Sequence, residues 1–235
     1  MEFKDLEELN RELVKCTLCP RLVEYRSSVA GSNPRYRDQK YWSKPVPGFG
    51  SIDARIVIVG LAPAPHGGNR TGRVFTGDYT ATNLMKALHA VGLANKPYSR
   101  SIGDGLKLCK TYMTASLKCA PPDNKPLGYE LRNCFKYIAG EINLLRRARV
   151  YVALGRIAWD TILKVLENLY SVRFPSKTFK HGMVLDLDAG GLKRYVVASY
   201  HPSPRNMWTG LLTHEMLVEI FRRAISLAGF KPNCF

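Results

Sequence analysis

The segment RIVIVGLAPAPHGGNRTGRVFTGD, residues 55–78, decides the fold class. Its first residues are apolar and β-branched without polar alternation, which predicts a short strand buried on both faces. The rest is rich in glycine and proline and predicts a long loop. Residues 80–91 then predict a helix that ends at Gly92. A buried strand, a loop and a helix in this order are typical of α/β proteins.

The rest of the chain repeats this alternation of strands and helices. Further strands are predicted at TYMTASL, at Val150–Gly155, and as a hairpin-like pair, Met183–Asp188 and Arg194–Tyr200, around Ala189-Gly190-Gly191. Further helices are predicted over residues 2–15, 130–147, 156–169 and 211–227, and a long irregular loop over residues 31–52. We therefore expect an α/β fold, a three-layer α/β/α sandwich around a mostly parallel sheet, in a single domain over residues 1–235.

The charge balance favours a nucleic-acid partner. The 235 residues include 35 Lys and Arg against 19 Asp and Glu, which gives a net charge of +16, and 46% of the residues are hydrophobic. This composition supports a buried core and excludes disordered and collagen-like classes. The positive field attracts phosphates at long range, although an ordinary basic surface has the same composition.

No segment is typical of a membrane span or a secretory signal. We find no run of about 18 apolar residues. The first residues, MEFKDLEELNREL, are charged and amphipathic where a signal peptide would be apolar. We therefore expect a cytoplasmic protein without membrane contact.

The cysteines suggest a metal centre. Cys16 and Cys19 form a C-x-x-C pair, and Cys119 and Cys134 are separated by 14 residues. A close pair and two distant single thiolates suit an Fe–S cluster or a structural zinc. A lone C-x-x-C without any metal is the alternative.

The remaining two cysteines, Cys109 and Cys234, are expected to be free thiols that bind no metal. Because intracellular disulfides are rare outside hyperthermophiles, we do not expect a structural disulfide.

The loop over residues 60–78 predicts a rigid cradle for a ligand. Its glycines allow close approach of the backbone, and its prolines hold an extended path. Arg70 and Arg73 are candidates for phosphate contacts, and Phe75 for stacking on a planar ligand. Asp78 is a candidate acid or base, but it precedes a predicted helix and also suits an N-cap.

The loop HPSPRNMWTG follows the last predicted strand and begins at His201. Ligands of such sheets bind beyond the carboxyl ends of strands, which favours a catalytic His201 over a structural one. The tip at Arg205, Asn206 and Met207 combines a charge, an amide and a flexible apolar wedge. This combination suits entry into a DNA groove, and the alternative is an ordinary loop with Met207 turned inwards.

Together these motifs resemble the Fe–S-containing family 5 enzymes of the uracil-DNA glycosylase superfamily from thermophilic prokaryotes. The resemblance covers nearly the whole chain, and the order and spacing of its motifs are specific. The motifs are the Cys16/Cys19 pair, Gly60-Leu61-Ala62-Pro63-Ala64, Phe75-Thr76-Gly77-Asp78, Lys118-Cys119-Ala120-Pro121-Pro122-Asp123-Asn124, Cys134 and His201-Pro202-Ser203-Pro204.

The resemblance implies a central four-stranded parallel sheet and excision of damaged bases from DNA. It also implies a 4Fe–4S cluster, whose four ligands would be Cys16, Cys19, Cys119 and Cys134. The expected partners are single- and double-stranded DNA containing uracil or other deaminated bases. We expect a monomer associated with the nucleoid.

Two departures from the superfamily bear on mechanism. Leu61 and Ala62 stand where other branches carry an Asp, Asn or Glu that handles the attacking water, so the resemblance assigns that role to Asp78, with His66 as second choice. Ala115 stands where the related Fe–S family carries an Asn that reads uracil. Base selection is therefore expected to be broad and to include hypoxanthine, as the resemblance to family 5 implies.

The resemblance also implies how the site residues act. The flipped base stacks on Phe75, and Asn124 contacts its edge, unless Asn124 is only a turn residue. The leaving base becomes anionic, and neutral His201 would stabilise it. The backbone amides of the first motif would assist, which makes Gly60, Ala62 and Ala64 substrate-binding residues.

Two functions from other classes compete with this reading. One is a non-catalytic Fe–S protein that binds nucleic acid through its basic surface. The other is an electron-transfer protein, which the absence of a GxGxxG fingerprint after the first strand disfavours.

Overall fold

The computed structural model describes residues 3–189 and 191–235 and contains, within them, a six-stranded sheet. The strands are β1 (Phe49–Gly50), β2 (Ile56–Gly60), β3 (Thr111–Ala115), β4 (Val150–Leu154), β5 (Val184–Ala189) and β6 (Leu192–Ser199). Their order is β1-β3-β2-β4-β6-β5. The four inner strands are mutually parallel, and β1 and β5 pair antiparallel at the edges. The mostly parallel sheet is confirmed, but the count of four strands is wrong because both edges are extended.

Helices cover both faces of this sheet. They are α1 (Leu6–Leu13), α2 (Pro20–Ser28), α3 (Gly68–Thr71), α4 (Tyr79–Ala90), α5 (Gly128–Leu144), α6 (Arg156–Tyr170), α7 (Pro204–Trp208) and α8 (His214–Ala228). The sequence does not predict α2, α3 or α7, which are short. In the part of the chain that the structure describes, no helix is long and apolar enough to cross a bilayer. Glu2 of the first predicted helix and Gly190 of the predicted hairpin turn lie outside the described residues.

The central strand β2 shows why three layers form. Ile56 and Ile58 pack with α4 and α8 on one face of the sheet. Val57 and Val59 pack with α5 and α6 on the opposite face. Successive side chains of a strand point to opposite faces, so an uninterrupted apolar strand needs cover on both.

A disulfide joins Cys109 to Cys234 and contradicts the expectation of two free thiols. The two Cα atoms lie 5.5 Å apart although 125 residues separate the cysteines in sequence. The C-terminal tail reaches this position because it continues from α8 across the end of α4, where a Cβ at Gly92 would contact Pro232. The pairing is a tertiary contact between distant segments, and for that reason sequence spacing does not reveal it.

A buried ion pair connects the segment after β3 to α5. The Lys118 ammonium lies 2.6 Å from Glu141 Oε2, and the side chains are 1% and 0% exposed. The same carboxylate accepts hydrogen bonds from the hydroxyls of Thr114 and Tyr112. The amide of Gly48 donates to it as well. The pair therefore sits in a fully bonded network, which is the condition under which buried charges are tolerated.

We predict that Glu141→Gln lowers the free energy of unfolding by about 3–5 kcal/mol, because it leaves the Lys118 charge buried without a counter-charge. Chemical denaturation of the two proteins measures the difference. The matched control is Asp186→Asn, which breaks the exposed Lys193–Asp186 pair and should leave stability nearly unchanged. Equal losses in the two variants would contradict the role given to burial.

Candidate active site

A cavity of about 580 Å³ opens at the carboxyl ends of the parallel strands. Its walls come from the segments that follow β2, β4 and β6, together with the turn after β3. The lining residues are Leu61, Ala62, Ala64, Pro65, Phe75, Asp78, Tyr79, Thr80, Asn124, Leu154, Gly155, Arg156, Ile157, His201, Ser203 and Pro204. Both loops that the sequence assigned to a ligand site therefore meet here, as the carboxyl-end rule requires.

Phe75 forms an apolar wall of the cavity and is held in an uncommon backbone conformation. Its φ is 48°, and 9% of the residue is exposed. A Cβ at Gly60 would lie 2.6 Å from the Phe75 ring, so only glycine leaves room for this ring position. Gly60 itself is not among the lining residues, and the substrate contact predicted for it stays a prediction. Its role is to admit Phe75.

Arg73 lies inside the protein and not at a DNA-facing surface. It is 6% exposed, and its guanidinium lies 2.7 Å from Asp104 Oδ2. It also donates to the hydroxyls of Thr76 and Ser99. Although burial acts to raise the pKa of Asp104, hydrogen bonds from Arg73 and nearby backbone amides hold it well below its usual range. The predicted phosphate contact of Arg73 is corrected, because this side chain braces the loop that presents Phe75.

Arg70 also supports the loop from within. Its Nε donates to the carbonyl of His66 at 2.7 Å, and one terminal nitrogen donates to the carbonyl of Gly77 at 3.1 Å. Its guanidinium lies 4.1 Å from the ring centre of Tyr36. A phosphate contact by Arg70 stays a prediction, and the structure gives this residue an internal role.

Asp78 is at once the N-cap of α4 and part of the cavity wall. Its Oδ1 accepts a hydrogen bond from the amide of Ala81 at 2.8 Å. A Cβ at Gly67 would lie 2.1 Å from Oδ2, so glycine at that position gives the carboxylate its space. Burial raises the pKa of Asp78, while the amides of Ala81 and Thr80 oppose the shift. Asp78 therefore caps α4 through Oδ1, as the capping alternative predicts. Its Oδ2 is the oxygen that remains to contact a ligand or a water molecule.

His201 lines the same cavity. Burial lowers the pKa of His201 to about 4, so the imidazole is neutral at pH 7. Its ring nitrogens have no hydrogen-bond partner among the described residues. The loop is held from both sides, since Asn206 donates to the His201 carbonyl at 2.8 Å and Asn83 of α4 donates to the Pro202 carbonyl at 3.1 Å. A neutral imidazole in a fixed position is suited to donate a hydrogen bond to an anion.

The first motif adds backbone donors to the cavity wall. No hydrogen bond joins the amides of Ala62 and Ala64 to any other described residue, whereas the Ala64 carbonyl accepts bonds from Gly67 and Asn69. Asn124 is exposed, has a φ of 56° and lines the cavity as well. Its side-chain amide makes no hydrogen bond within the described part of the chain, and its contact with a base stays a prediction.

The second-choice residue for water activation is placed elsewhere. His66 does not line the cavity, and its Nδ1 lies 2.9 Å from the hydroxyl of Tyr41. Burial lowers the pKa of His66, and the charge of Arg70 lowers it further. Among the lining residues of the cavity, Asp78 is the one carboxylate and His201 the one imidazole.

The tip after His201 differs from the prediction. Met207 packs against the core beside α4 and α8, so the inward alternative for Met207 is correct. Trp208 is 78% exposed instead, and its ring lies 6.4 Å from that of Tyr79, which is 65% exposed. Arg205 is exposed on the same short helix. The single turn of α7 decides this, because it turns positions 205 and 208 outwards together and position 207 inwards.

Sequence reasoning missed the contribution of the β4–α6 turn to the cavity. Gly155 and Arg156 line it, and Arg156 is exposed with an ion pair to Asp160. The carboxyl-end rule applied to the strand that ends at Leu154 would have found this turn.

The four cysteines without a disulfide gather in one region below this edge. Cys19, Cys119 and Cys134 pack together with Leu22 and Leu117. Burial, with a smaller contribution from the neighbouring Cys16 and Cys19 thiols, raises the pKa of Cys119 to about 11, although Arg26 acts to lower it. Burial likewise raises the pKa of Cys134 to about 12. The sequence prediction that these four distant residues meet is consistent with this geometry.

The region also supplies donors to sulfur. Arg26 donates to Cys119 Sγ at 3.1 Å, and the Nε of the same guanidinium is buried without a partner. Asn133 donates to Cys19 Sγ at 3.5 Å. Across residues 3–189 and 191–235, no group of three or more His, Cys, Asp or Glu side chains has the arrangement that holds a single metal ion. Four thiols with a buried cation beside them fit an anionic group larger than one ion.

Known proteins are similar to this chain in sequence. Residues 47–224 match the family model described as the uracil DNA glycosylase superfamily. The chain is 48% identical to the Type-5 uracil-DNA glycosylase of Pyrobaculum aerophilum, over 95% of this chain and 93% of that protein. It is 46% identical to the Type-5 uracil-DNA glycosylase of Thermus thermophilus, over 96% of this chain and 99% of that protein. A Type-4 uracil-DNA glycosylase of Archaeoglobus fulgidus is 29% identical over 86% of this chain. The chain therefore belongs to the uracil-DNA glycosylase superfamily.

Proposed function

We propose that this protein is a DNA repair glycosylase that hydrolyses the N-glycosidic bond of flipped-out uracil and leaves an abasic site. The observation that carries the proposal is the cavity, which both Asp78 and neutral His201 line. Membership of the superfamily and 46–48% identity to Type-5 uracil-DNA glycosylases support it. A glycosidic bond within stacked DNA is out of reach, so the nucleotide must leave the helix before it enters this cavity.

Phe75 is the surface on which the flipped base stacks. Gly60 leaves room for the ring, and the buried Arg73 supports the loop that carries it. The ring is therefore held in position before the base arrives. An aromatic face accepts any planar base, which gives binding without strict selection. The exposed amide of Asn124 is positioned to contact the base edge.

His201 and the first motif stabilise the leaving group. As the bond breaks, negative charge develops on the base, and donors fixed before the reaction lower the barrier. The neutral imidazole and the unpaired amides of Ala62 and Ala64 are such donors. No group here has to be reoriented at the moment of reaction, because Asn206 and Asn83 already hold the His201 loop.

Asp78 is proposed to orient the attacking water and to stabilise the cationic sugar. One carboxylate oxygen is engaged by the amide of Ala81, which fixes the orientation of the side chain. The other oxygen orients the attacking water, and the negative charge favours the cationic sugar of an oxocarbenium-like transition state. The capping bond and the catalytic role therefore use different oxygens of one side chain.

The same cavity is proposed to accept other deaminated bases, including hypoxanthine. No residue of β3 lines it, and Ala115 at the end of β3 provides no polar group that would select uracil. A volume of about 580 Å³ does not exclude a purine. A site that rejects little by hydrogen bonding discriminates weakly between bases.

The surface around the mouth of the cavity is suited to DNA. Arg205, Arg156 and the aromatic pair of Tyr79 and Trp208 are exposed there. Basic side chains bind phosphates, and aromatic rings stack on unpaired bases. The net charge of +16 predicts binding that weakens steeply as salt rises.

We further propose that Cys16, Cys19, Cys119 and Cys134 hold a 4Fe–4S cluster. The grouping of four thiols with a buried cation supports it. N-glycosidic hydrolysis transfers no electrons, so the role proposed for the cluster is to hold α2 against the Cys119 and Cys134 segments.

The first test of the proposed function is base release from oligonucleotides. Wild-type protein should release free uracil from single strands and duplexes, release hypoxanthine, and leave normal bases in place. His201→Ala should slow uracil release about 100- to 1,000-fold, since it removes one anion-stabilising donor. The control is His89→Ala, which alters an exposed histidine at the far end of α4.

Binding of uracil-containing DNA without release of any base would overturn the glycosylase proposal. That result would favour the non-catalytic nucleic-acid-binding alternative.

A second test separates capping from catalysis at Asp78. Asp78→Asn should lower the single-turnover rate at least about 100-fold, because the negative charge is lost. Its melting temperature should hardly change, because Asn caps helices about as well as Asp. Asp5→Asn is a matched control, since Asp5 caps α1 through the same 2.8 Å bond far from the cavity. A wild-type rate for Asp78→Asn would leave Asp78 with the capping role alone.

A third test uses pH. Asp78 must be ionised and has a raised pKa, whereas His201 must be neutral and has a pKa of about 4. The single-turnover rate should therefore be level at high pH and fall as the pH drops through the pKa values of these two groups. A fall near pH 6.5, the usual pKa of a solvated histidine, that persists in Asp78→Asn would contradict a buried neutral His201.

A further inference from the structure

Arg26 is a buried cation that faces the cysteines. It lies on α2 and is 6% exposed. One terminal nitrogen donates to Cys119 Sγ at 3.1 Å, and the two terminal nitrogens lie 3.3 and 3.4 Å from the carbonyl oxygen of Cys16. Its Nε is buried and makes no hydrogen bond to any described residue.

No carboxylate offsets this charge within the described residues. The nearby Arg21 pairs with Glu130, and Lys118 pairs with Glu141. Arg26 forms no ion pair in the same structure. A buried guanidinium without a counter-charge is strongly destabilising, so its retention needs an anionic partner. The sulfur of Cys119 is the atom that the guanidinium contacts.

We propose that Arg26 is the counter-cation of the metal-bound cysteine thiolates and a positioning residue for the cluster. The inference rests on the cofactor part of the proposed function. Four thiolates outweigh the positive charge of a 4Fe–4S core, so the bound group is anionic. One guanidinium then stabilises it through charge and through a hydrogen bond to sulfur, two of the factors that set cluster potentials.

A purely structural Arg26 would behave differently. If the side chain only filled space between α2 and the Cys119 segment, its loss would lower stability and leave the electronic properties of the cluster unchanged. As a counter-cation it favours the more negative, reduced form. Its neutralisation must therefore make the midpoint potential more negative, because reduction adds negative charge to the cluster.

The experiment compares wild-type protein with Arg26→Gln, Arg26→Lys and Arg11→Gln, all purified without oxygen. Arg11 is exposed on α1, so its change to Gln removes the same charge without altering the cysteine region. Iron and acid-labile sulfide contents, midpoint potential, and the rate of iron loss to a chelator are measured. Uracil release is recorded on the same preparations.

We expect Arg26→Gln to lose iron at least about tenfold faster than wild type, the effect typical of removing an outer partner of a metal ligand. Its potential should be more negative. Arg26→Lys keeps the positive charge but loses the simultaneous contacts of two nitrogens with Cys119 Sγ and the Cys16 carbonyl. Its midpoint potential should therefore stay near that of wild type, while its iron loss should be faster. Arg11→Gln should match wild type in every measurement.

Wild-type potential and iron retention in Arg26→Gln would overturn the proposal. If Arg26→Gln does not fold, a wild-type rate of iron loss in Arg26→Lys overturns it. Wild-type protein that contains neither iron nor sulfide would overturn both the counter-cation role and the cluster. Uracil release by that metal-free protein would leave the glycosylase function standing, so the two proposals fail separately.

Discussion

Parallel pairing of β3, β2, β4 and β6 is the constraint on which the rest of the structure depends. Parallel strands end at one edge of a sheet, so the segments that follow them are brought together however far apart they lie in sequence. Asp78 and His201, 123 positions apart in the numbering, face one cavity for this reason. Apolar cores on both faces hold the sheet in place. The side chains that line the cavity lie on the connections that follow the strands at its carboxyl edge.

The rigidity of those connections comes from polar side chains that do not touch a ligand. Arg73 braces the Phe75 loop from inside through its pair with Asp104. Asn83 and Asn206 anchor the two sides of the His201 loop. Arg73 and Asn206, for which the sequence predicts DNA contact, therefore hold loops of the cavity in position. A site that stabilises developing charge needs such support, because donors that move lose their advantage.

The cysteine region is joined to the cavity by short hydrogen-bonded links. The amide of Leu117, two positions before Cys119, donates to the carbonyl of Leu61 at 2.9 Å. Asn69, in the loop behind the cavity, donates to the Arg26 carbonyl at 2.9 Å. Any group that orders the cysteines thus also orders the first motif. Through this linkage the proposed cluster would affect the geometry of the cavity without taking a chemical part in the proposed reaction.

Apolar periodicity in the sequence by itself determined the inner strands, the principal helices and the edge at which a ligand binds, because these depend on local patterns. The resemblance of its motifs is the source of the proposed cysteine ligands and of the roles proposed for Asp78 and His201. Tertiary structure alone decided that Arg73 is buried, that Cys109 meets Cys234, and that Trp208 is exposed in place of Met207. Each depends on a contact with a distant segment, as Arg73 does with Asp104, and local sequence carries no record of which segments will become neighbours.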